Sequence, residues 1–180
     1  LEAGAPAAKK GGIYTEWGLR RFSADWNEAY AGMDQQEQTD LNRKAVIAKW
    51  SDDGTETGTI RLMNNIKMDP AGGNFRPIGA GSYLSEGNNC GFNGTFDGGG
   101  FNIDGLSCSG DRIDASLFFL IDTNGKVMNL KLTNVDFSSS DPSSALAGIT
   151  VTNLGSITGC SVGGTQIKSG LWAGGIAVNN

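Results

Sequence analysis

The sequence predicts an all-β fold: a short right-handed parallel β-helix, a solenoid of stacked turns, with an N-terminal α-helical cap. Three observations lead to this prediction. A short apolar motif that begins at Ile103 returns at Val127 and again at Ile157, the segments between its copies are rich in Gly, Asn and Asp, and each interval is too short to hold a helix as well. A short fixed period is typical of solenoids, and parallel crossover connections are right-handed in nearly all proteins.

The repeated motif fixes the expected strand alignment. Its three copies are IDGLSC at 103–108, VMNLKL at 127–132 and ITGCSV at 157–162, so Ile103 is expected to lie on Val127 and Val127 on Ile157. Within the second step, six pairs of residues are aligned: Phe119 with Ile149, Ile121 with Val151, Gly125 with Gly155, Val127 with Ile157, Leu130 with Cys160 and Leu132 with Val162. A last, shorter step aligns Ile149 with Ile176 and Val151 with Val178.

This alignment also predicts which way the side chains point. Strands of successive turns should stack about 4.8 Å apart. The inward rows are expected to contain Ile103, Leu106 and Cys108 with their equivalents. One corner is expected to contain Gly105, Asn129 and Gly159, because Gly and Asn tolerate a positive φ. One outward row is expected to contain Ser107, Lys131 and Ser161.

The chain before the repeats is expected to cap them. Residues 1–12 are predicted to be a flexible linker or mature N-terminus, 13–58 an N-terminal cap with a first strand, and 59–180 the β-helix rungs. Thr15 can cap a helix over about 16–30, in which Leu19, Phe22, Trp26 and Tyr30 share one face. These bulky side chains resemble a ligand platform, but covering the apolar end of a solenoid is the favoured interpretation.

The connecting segments are predicted from composition. Residues 32–43 are expected to form a solvated loop in which Thr39 can begin one helical turn, 45–50 a short strand, and 51–58 a turn. Asp52, Asp53 and Glu56 in that turn suggest calcium, but they do not have the spacing of an EF-hand loop, so a solvated turn is favoured. Residues 59–68 should form two strands around a corner, and 70–81 a turn anchored by Phe75 and Ile78, followed by a polar loop over 82–89.

Composition excludes several function classes. The 180 residues carry 14 Lys and Arg against 19 Asp and Glu, a net charge of −5 with no basic run, which is unlike a nucleic-acid binder. No apolar stretch approaches the roughly 18 residues of a membrane span, so we expect membrane attachment only through an upstream lipid anchor or a partner.

The cysteines are Cys90, Cys108 and Cys160, and histidine is absent, so neither a zinc site nor any other cofactor is predicted. Three cysteines allow at most one internal disulfide, and Cys108 and Cys160 are expected to be buried thiols.

Six features of the chain carry a family resemblance: FNGTFDGGG at 92–100, RLMNNI at 61–66, FRPIG at 75–79, LFF at 117–119, AGI at 147–149 and the 15–30 helix. Together they resemble the GLUG-motif family of bacterial surface proteins, which carry Gly-Leu-(any)-Gly repeats. Phe101 replaces the usual histidine, and Phe118-Phe119 stands where a glycine is expected. The resemblance implies an exported or cell-surface protein, often of Bacteroidetes, with adhesion or partner binding and no established catalytic residues.

The sequence favours a non-catalytic role. Without histidine, a Ser-His-Asp or Cys-His nucleophile is excluded, and Asp97 in its glycine-rich stretch is expected to accept bonds from following amides in a tight turn. We expect a module for adhesion or for protein or glycan binding, such as an accessory subunit of an outer-membrane complex. The alternative is a polysaccharide lyase or hydrolase, for which the nearest cluster is Asp104, Asp111, Arg112 and Asp114.

The last residues are predicted to form an open edge. Residues 171–180 begin a new turn, and Ile176 and Val178 repeat earlier core positions. An uncovered strand edge is a template for strand addition. We therefore expect either further rungs or a protein partner at this edge.

Overall fold

The computed structural model describes residues 11–30, 35–80, 91–111, 114–168 and 172–180. Over these residues the chain is strand-rich, with two α-helices and many short parallel strands. The helices are α1 (Glu16–Glu28) and α2 (Gln36–Trp50), and a 3-10 turn covers Pro70–Gly72. The strands are β1 (Thr59–Arg61), β2 (Ile66–Lys67), β3 (Thr95–Asp97), β4 (Asn102–Asp104), β5 (Ser107–Gly110), β6 (Phe118–Ile121), β7 (Lys126–Met128), β8 (Lys131–Thr133), β9 (Asp136–Ser139), β10 (Ala145–Ala147), β11 (Thr150–Asn153), β12 (Ser156–Thr158), β13 (Ser161–Gly163), β14 (Gln166–Lys168), β15 (Trp172–Gly174) and β16 (Ala177–Asn179).

The strands form five sheets in which every pair of named strands is parallel. Their orders are β1-β3-β7-β12, β2-β4-β8-β13, β5-β9-β14, β6-β11-β16 and β10-β15. Consecutive strands therefore belong to different sheets, and the chain returns to a given sheet after one circuit. We call each circuit a layer: β1–β2 belong to the first, β3–β6 to the second, β7–β11 to the third and β12–β16 to the fourth.

The apolar core runs through these layers in rows of paired residues. One row is Ile60, Phe96, Val127 and Ile157, and another is Ile66, Ile103, Leu132 and Val162. The members from the first three layers are buried, whereas Ile157 and Val162 in the fourth layer are only half-buried. Burial of the rows therefore ends one layer before the strands do.

Helix α1 matches its sequence prediction closely. The Thr15 hydroxyl accepts a hydrogen bond from the Gly18 N–H at 3.1 Å, which satisfies one of the free amides at the helix start. Leu19, Phe22 and Trp26 are buried as predicted, at 0, 0 and 1% exposure. The helix is shorter than the predicted 16–30 range and ends at Glu28.

The buried face of α1 packs on aromatic side chains of the strand region. The Trp26 ring centroid lies 4.9 Å from that of Phe92, and Phe22 lies 6.3 Å from both Phe92 and Phe96. The ring centroids of Phe92 and Phe118 lie 5.0 Å apart, which extends the aromatic contacts into β6. Aromatic pairs at these separations add to the apolar burial. The bulky stripe is therefore core, as the favoured interpretation expected.

The prediction for residues 36–50 was wrong. Residues 31–34 lie outside the described part, but the remainder is α2, not a solvated loop followed by a strand over 45–50. The buried side of α2 consists of Thr39, Arg43, Ile47 and Trp50, at helical spacing. Two of these four residues are polar, so the sequence shows no apolar stripe at helical spacing. The apolar run AVIAKW was therefore mistaken for a strand.

The two helices are joined by a buried carboxylate. Asp25, with only 7% of its side chain exposed, accepts hydrogen bonds from Arg21 Nε at 2.8 Å and Lys49 Nζ at 2.6 Å. The Trp50 indole N–H donates to the same carboxylate at 2.8 Å. Three charged or polar donors compensate the cost of burying this charge.

Helix α1 is also fastened to the segment before residue 80. The Asn27 Oδ1 accepts the N–H groups of Gly79 and Ala80 at 2.9 and 3.0 Å, and its Nδ2 donates to the Pro77 carbonyl at 2.9 Å. Phe75 and Ile78, the predicted anchors of this turn, are 2 and 0% exposed. Both anchors are confirmed, and Asn27 binds the backbone of residues 77–80 to α1.

The predicted strand alignment is right for one step and wrong for another. Val127 pairs with Ile157, as predicted. However, Ile103 pairs with Leu132, and Phe96 takes the place opposite Val127. The predicted alignment matched the first motif copy to the wrong strand of the next layer, because neighbouring strands of one layer have similar apolar spacings.

A second displacement lies between β6 and β11. Ile121 pairs with Asn153, so the predicted placement of Phe119 on Ile149 and Ile121 on Val151 is wrong by two positions. The turn over 122–125 is longer by two positions than its equivalent over 154–155, which accounts for the difference. The last step, from Ile149 to Ile176, is confirmed by the pairing of Thr150 with Ala177.

The shared corner is confirmed in part. Asn129 and Gly159 have φ of 53° and 64° and occupy equivalent positions in adjacent layers. Gly105, with φ of 78°, instead belongs to the corner of Asn134 and Gly164. The predicted outward row is broken in the same way: Lys131 pairs with Asn102 and Ser161, whereas Ser107 pairs with Asp136.

The predicted linker is described only at its end. Residues 1–10 lie outside the described part, whereas Gly12 is buried and a Cβ there would lie 2.6 Å from the Arg61 carbonyl oxygen. Ile13, which follows, is fully buried and bridges Leu62. The chain is therefore packed against the first layer from Gly12 onward.

Candidate functional site

The carboxylates of the predicted enzymatic cluster each have separate partners. Asp104 accepts the Thr133 hydroxyl and the Asn134 amide, both at 2.7 Å, and these bonds lower the pKa of Asp104. Asp111 accepts the hydroxyl of Ser140. Asp114 accepts the N–H of Ala145 at 2.7 Å, and Arg112 lies outside the described residues. Over the described residues, no three Asp, Glu, Cys or His side chains are grouped so that they could hold a metal ion.

The glycine-rich stretch after β3 is a corner, as predicted. Asp97 Oδ1 accepts the Gly99 N–H at 2.9 Å and the Asn129 amide at 3.1 Å, and Arg61 pairs with its other oxygen. Burial raises the pKa of Asp97, but the bonds from Gly99, Asn129 and Arg61 outweigh burial, and the net shift is downward. This carboxylate is therefore held ionised in a structural position.

The acidic turn at 51–58 is solvated, as predicted. Asp53 accepts the N–H and hydroxyl of Thr55 at 2.8 and 2.9 Å, and the first of these bonds is the main cause of its lowered pKa. Asp52 instead pairs with Arg61 Nε at 2.7 Å. Both acidic residues and Glu56 are exposed. The turn carries surface charge without converging on a common point.

The fourth layer exposes apolar side chains at positions that are core in the layer before it. We call this surface the C-terminal face and define it by the inward-row residues Ile157, Cys160, Val162, Ile167, Ile176 and Val178. Ile176 is 42% exposed, and the other five are half-buried. Their equivalents in the third layer are at most 5% exposed: Val127, Leu130, Leu132, Phe137, Ile149 and Val151. The same apolar positions that form core in one layer are thus open to solvent in the next.

Two further exposed side chains adjoin this face. Trp172 in β15 is 53% exposed, and Leu154, which precedes β12, is 56% exposed. The sequence singled out Ile176 and Val178 but missed these two. Trp172 pairs with Ala145, which is itself only half-buried, so the inward and outward alternation of β15 was the signal that could have found Trp172. A depression of about 320 Å³ lies between Asn153, Ile157, Cys160, Ile176 and Asn180.

The C-terminal face is nearly free of charge. Lys168 is the one charged side chain in the sequence from 154 to 180, although the whole chain has a net charge of −5. The polar groups are amides: Asn153 Nδ2 donates to Asn180 Oδ1 at 2.6 Å, while the Asn153 Oδ1 is buried without a partner within the described residues. This face therefore combines apolar side chains, strand edges and an incompletely paired amide.

The described cysteines are free thiols. Cys108 is buried, as predicted, whereas Cys160 is only half-buried because it belongs to the open fourth layer. Burial raises the pKa of both thiols, which keeps them protonated near neutral pH. Cys90 lies outside the described residues.

Comparison with known proteins finds no matching family model, no matching curated protein and no matching solved structure. Over the described residues, neither helix is long and apolar enough to cross a membrane.

Proposed function

We propose that the chain is a non-catalytic binding module, built as a short right-handed parallel β-helix, that joins a protein partner through its C-terminal face. The observation that carries this proposal is the exposure of inward-row side chains such as Ile176 on the fourth layer. Exposed apolar surface beside unpaired strand edges is a common site of protein association. Strand addition to such an edge would bury these side chains and pair the edge amides.

The β-helix architecture is supported by the pairing pattern. Each sheet gains one parallel strand per layer, and Lys126, Lys131 and Asp136 pair with Ser156, Ser161 and Gln166, at the same sequence separation in each case. Parallel strands joined by crossovers favour the right-handed path. Helix α1 would then serve as the cap that solenoids need at an apolar end.

A binding role is favoured over polysaccharide cleavage by the state of the carboxylates. Glycoside hydrolases use two carboxyl groups that flank one bond. Asp104, Asp111 and Asp114 are each engaged by a different hydroxyl or amide donor. Asp104 accepts from Thr133 and Asn134, whereas Asp111 accepts from Ser140, so these two carboxylates have different partners.

We also propose that the module belongs with GLUG-type bacterial surface proteins and acts outside the cell or at its surface, as an accessory subunit of an outer-membrane complex. The support is the stretch at 92–100, in which Asp97 forms the tight corner that a Gly-rich motif requires. Partner binding by one end of the chain is consistent with such a role.

Photo-crosslinking tests the proposed binding surface. A photoreactive amino acid would replace Ile176 and, in a control, Leu41, which is 53% exposed on α2. Both proteins would be mixed with the membrane fraction of the source cells, and the adducts identified by mass spectrometry. We expect a defined protein adduct at position 176 that is absent at position 41. Equal labelling at both positions would contradict the proposal.

A cleavage assay tests the non-catalytic part. The purified chain would be incubated with a panel of polysaccharides, and new reducing ends and unsaturated uronates would be measured. We expect neither product. Release of either product, together with its loss in the Asp104→Asn variant, would establish the enzymatic alternative instead.

A further inference from the structure

We propose that helix α1 is a closing lid that seals the first-layer end of the strands against strand addition by another chain. The seal depends on four polar residues that share one side of the helix, because they recur at helical spacing. We call them the polar stripe: Glu16, Arg20, Ser23 and Asn27. This inference does not use the C-terminal face, so its failure would leave the proposed function standing.

The first half of the polar stripe binds the backbone of residues 69–74. Glu16 Oε2 accepts the Asp69 N–H at 2.9 Å. The Arg20 guanidinium donates to the Gly73 carbonyl at 3.1 Å and to the Asn74 carbonyl at 3.3 Å. Glu16 also accepts the Arg20 Nε–H at 2.8 Å, so each of these two side chains holds the other in its binding position.

The second half of the polar stripe binds residues 76–80 and is more deeply buried. Ser23 and Asn27 are only 1 and 6% exposed. The Ser23 hydroxyl donates to the Arg76 carbonyl at 2.6 Å and accepts the Asn27 amide at 3.3 Å. Together with the bonds of Asn27 described above, the stripe binds the N–H groups of Asp69, Gly79 and Ala80 and the carbonyls of Gly73, Asn74, Arg76 and Pro77.

The opposite side of the same segment is paired with the second layer. The Phe75 N–H donates to the Ser107 carbonyl at 3.0 Å, and the Ile78 N–H donates to the Leu117 carbonyl at 2.9 Å. The outer side of such an edge segment ordinarily carries unpaired backbone groups, which are a template for strand addition. Here α1 occupies that place with side-chain donors and acceptors, so an incoming strand could pair only after α1 had moved away.

The apolar stripe of α1 does not by itself provide this seal. Leu19, Phe22 and Trp26 cover apolar core, whereas backbone N–H and C=O groups need hydrogen-bonding partners. Alanine at positions of the polar stripe should therefore weaken the lid and leave the apolar contacts in place. Alanine also has the highest helix propensity, so α1 itself should remain helical.

Hydrogen exchange of the full 180-residue chain, followed by NMR, tests the lid. The variant Arg20→Ala/Ser23→Ala leaves Asn27 in place. We expect the Gly79 amide, which Asn27 binds, to exchange about tenfold faster in this variant, because α1 opens more often. The Lys131 amide, which donates to the Phe101 carbonyl between the second and third layers, should keep its rate. The control variant Lys44→Ala, at an exposed position of α2, should change neither rate.

Light scattering at about 100 µM protein tests the seal. The initial rate of aggregate growth should rise in the variant by the same factor as the exchange of Gly79, because both processes require an open α1. Circular dichroism would confirm folding, and Ser23→Ala alone gives the same comparison if the double variant does not fold. Unchanged exchange at Gly79, equal acceleration at Gly79 and Lys131, or faster exchange at Gly79 without faster aggregate growth would each overturn the inference.

Discussion

Replacing Asn27 with alanine should destabilise the protein strongly, although the residue is polar and has no role in the proposed binding. Its side chain is 6% exposed and serves three backbone groups of the segment 77–80. The bonds to the Gly79 N–H and the Pro77 carbonyl are buried, whereas the Ala80 N–H is only partly buried and can be hydrated after truncation.

The magnitude follows from those two buried groups. A buried donor or acceptor left without a partner costs about 1–3 kcal/mol. Two such groups give a loss of about 2–6 kcal/mol in the free energy of unfolding, and we expect about 4 kcal/mol for Asn27→Ala. With a urea m value of about 2 kcal/mol/M, the unfolding midpoint should fall by about 2 M.

The matched control is Asn64→Ala. Asn64 is exposed and makes one long hydrogen bond, from its Nδ2 to the Tyr14 carbonyl at 3.4 Å. A surface change of this kind should alter stability by no more than about 0.5 kcal/mol. Urea unfolding followed by circular dichroism would compare both variants with the wild type. If the two variants lay within about 1 kcal/mol of each other, the assignment of Asn27 as the fastener between α1 and the 77–80 segment would be refuted.

Two other predictions concern the corners. Gly164→Ala should lower the free energy of unfolding by about 1–2 kcal/mol, because Gly164 has φ of 61° and a Cβ there would lie 2.8 Å from Asn134 Oδ1. The control is Gly163→Ala, which should cost much less because the new Cβ has no neighbour within 4 Å. Similar thermal melts for the two variants would contradict this. Asp97→Asn should flatten the decline of stability in acid. The folded pKa of Asp97 is lowered, so its ionised form stabilises the fold above the unfolded pKa of about 3.9, and this contribution is lost as pH falls through the lower folded value. Urea midpoints at pH 7 and pH 3 measure the effect, and an unchanged difference between the two pH values would count against it.

The sequence was most informative where two independent physical signals agreed. Thr15 followed by the stripe of Leu19, Phe22 and Trp26 predicted α1, because capping and apolar periodicity agreed. Helix α2 was missed because its buried side includes Thr39 and Arg43. An apolar pattern cannot reveal polar residues that are buried through tertiary contacts, although the many helix-forming residues of α2 did offer a signal.

The repeat alignment shows a different limit. Val127 was correctly placed on Ile157, but Ile103 was placed on Val127 when its partner is Leu132. Each layer contains several short strands with nearly the same apolar spacing, so a similarity search can match a strand to its neighbour in the next layer. Only the hydrogen-bonded register decides between them, and that register depends on turn lengths that the apolar residues do not encode.

For the candidate site, the sequence identified the correct end of the chain but not its full composition. Ile176 was predicted and is exposed, whereas Trp172 and Leu154 are also exposed but were not singled out, because neither repeats a core position of an earlier layer. The engagement of Asp104 by Thr133 and Asn134 was likewise beyond sequence reasoning, because these partners are distant in the sequence and lie in the next layer.

The unequal circuits have a consequence for how the chain can vary. The circuit from Phe118 to its partner Thr150 is longer than the circuit from Thr150 to its partner Ala177, yet the apolar rows remain aligned. The surplus is absorbed in turns such as 122–125. Within that turn, Thr123 and Asn124 are exposed, whereas Gly125 is buried and a Cβ there would lie 2.2 Å from the Phe92 carbonyl oxygen. The length of the turn can therefore vary at 123–124, where recognition loops could be grafted or acquired while the strands act as an unchanged scaffold.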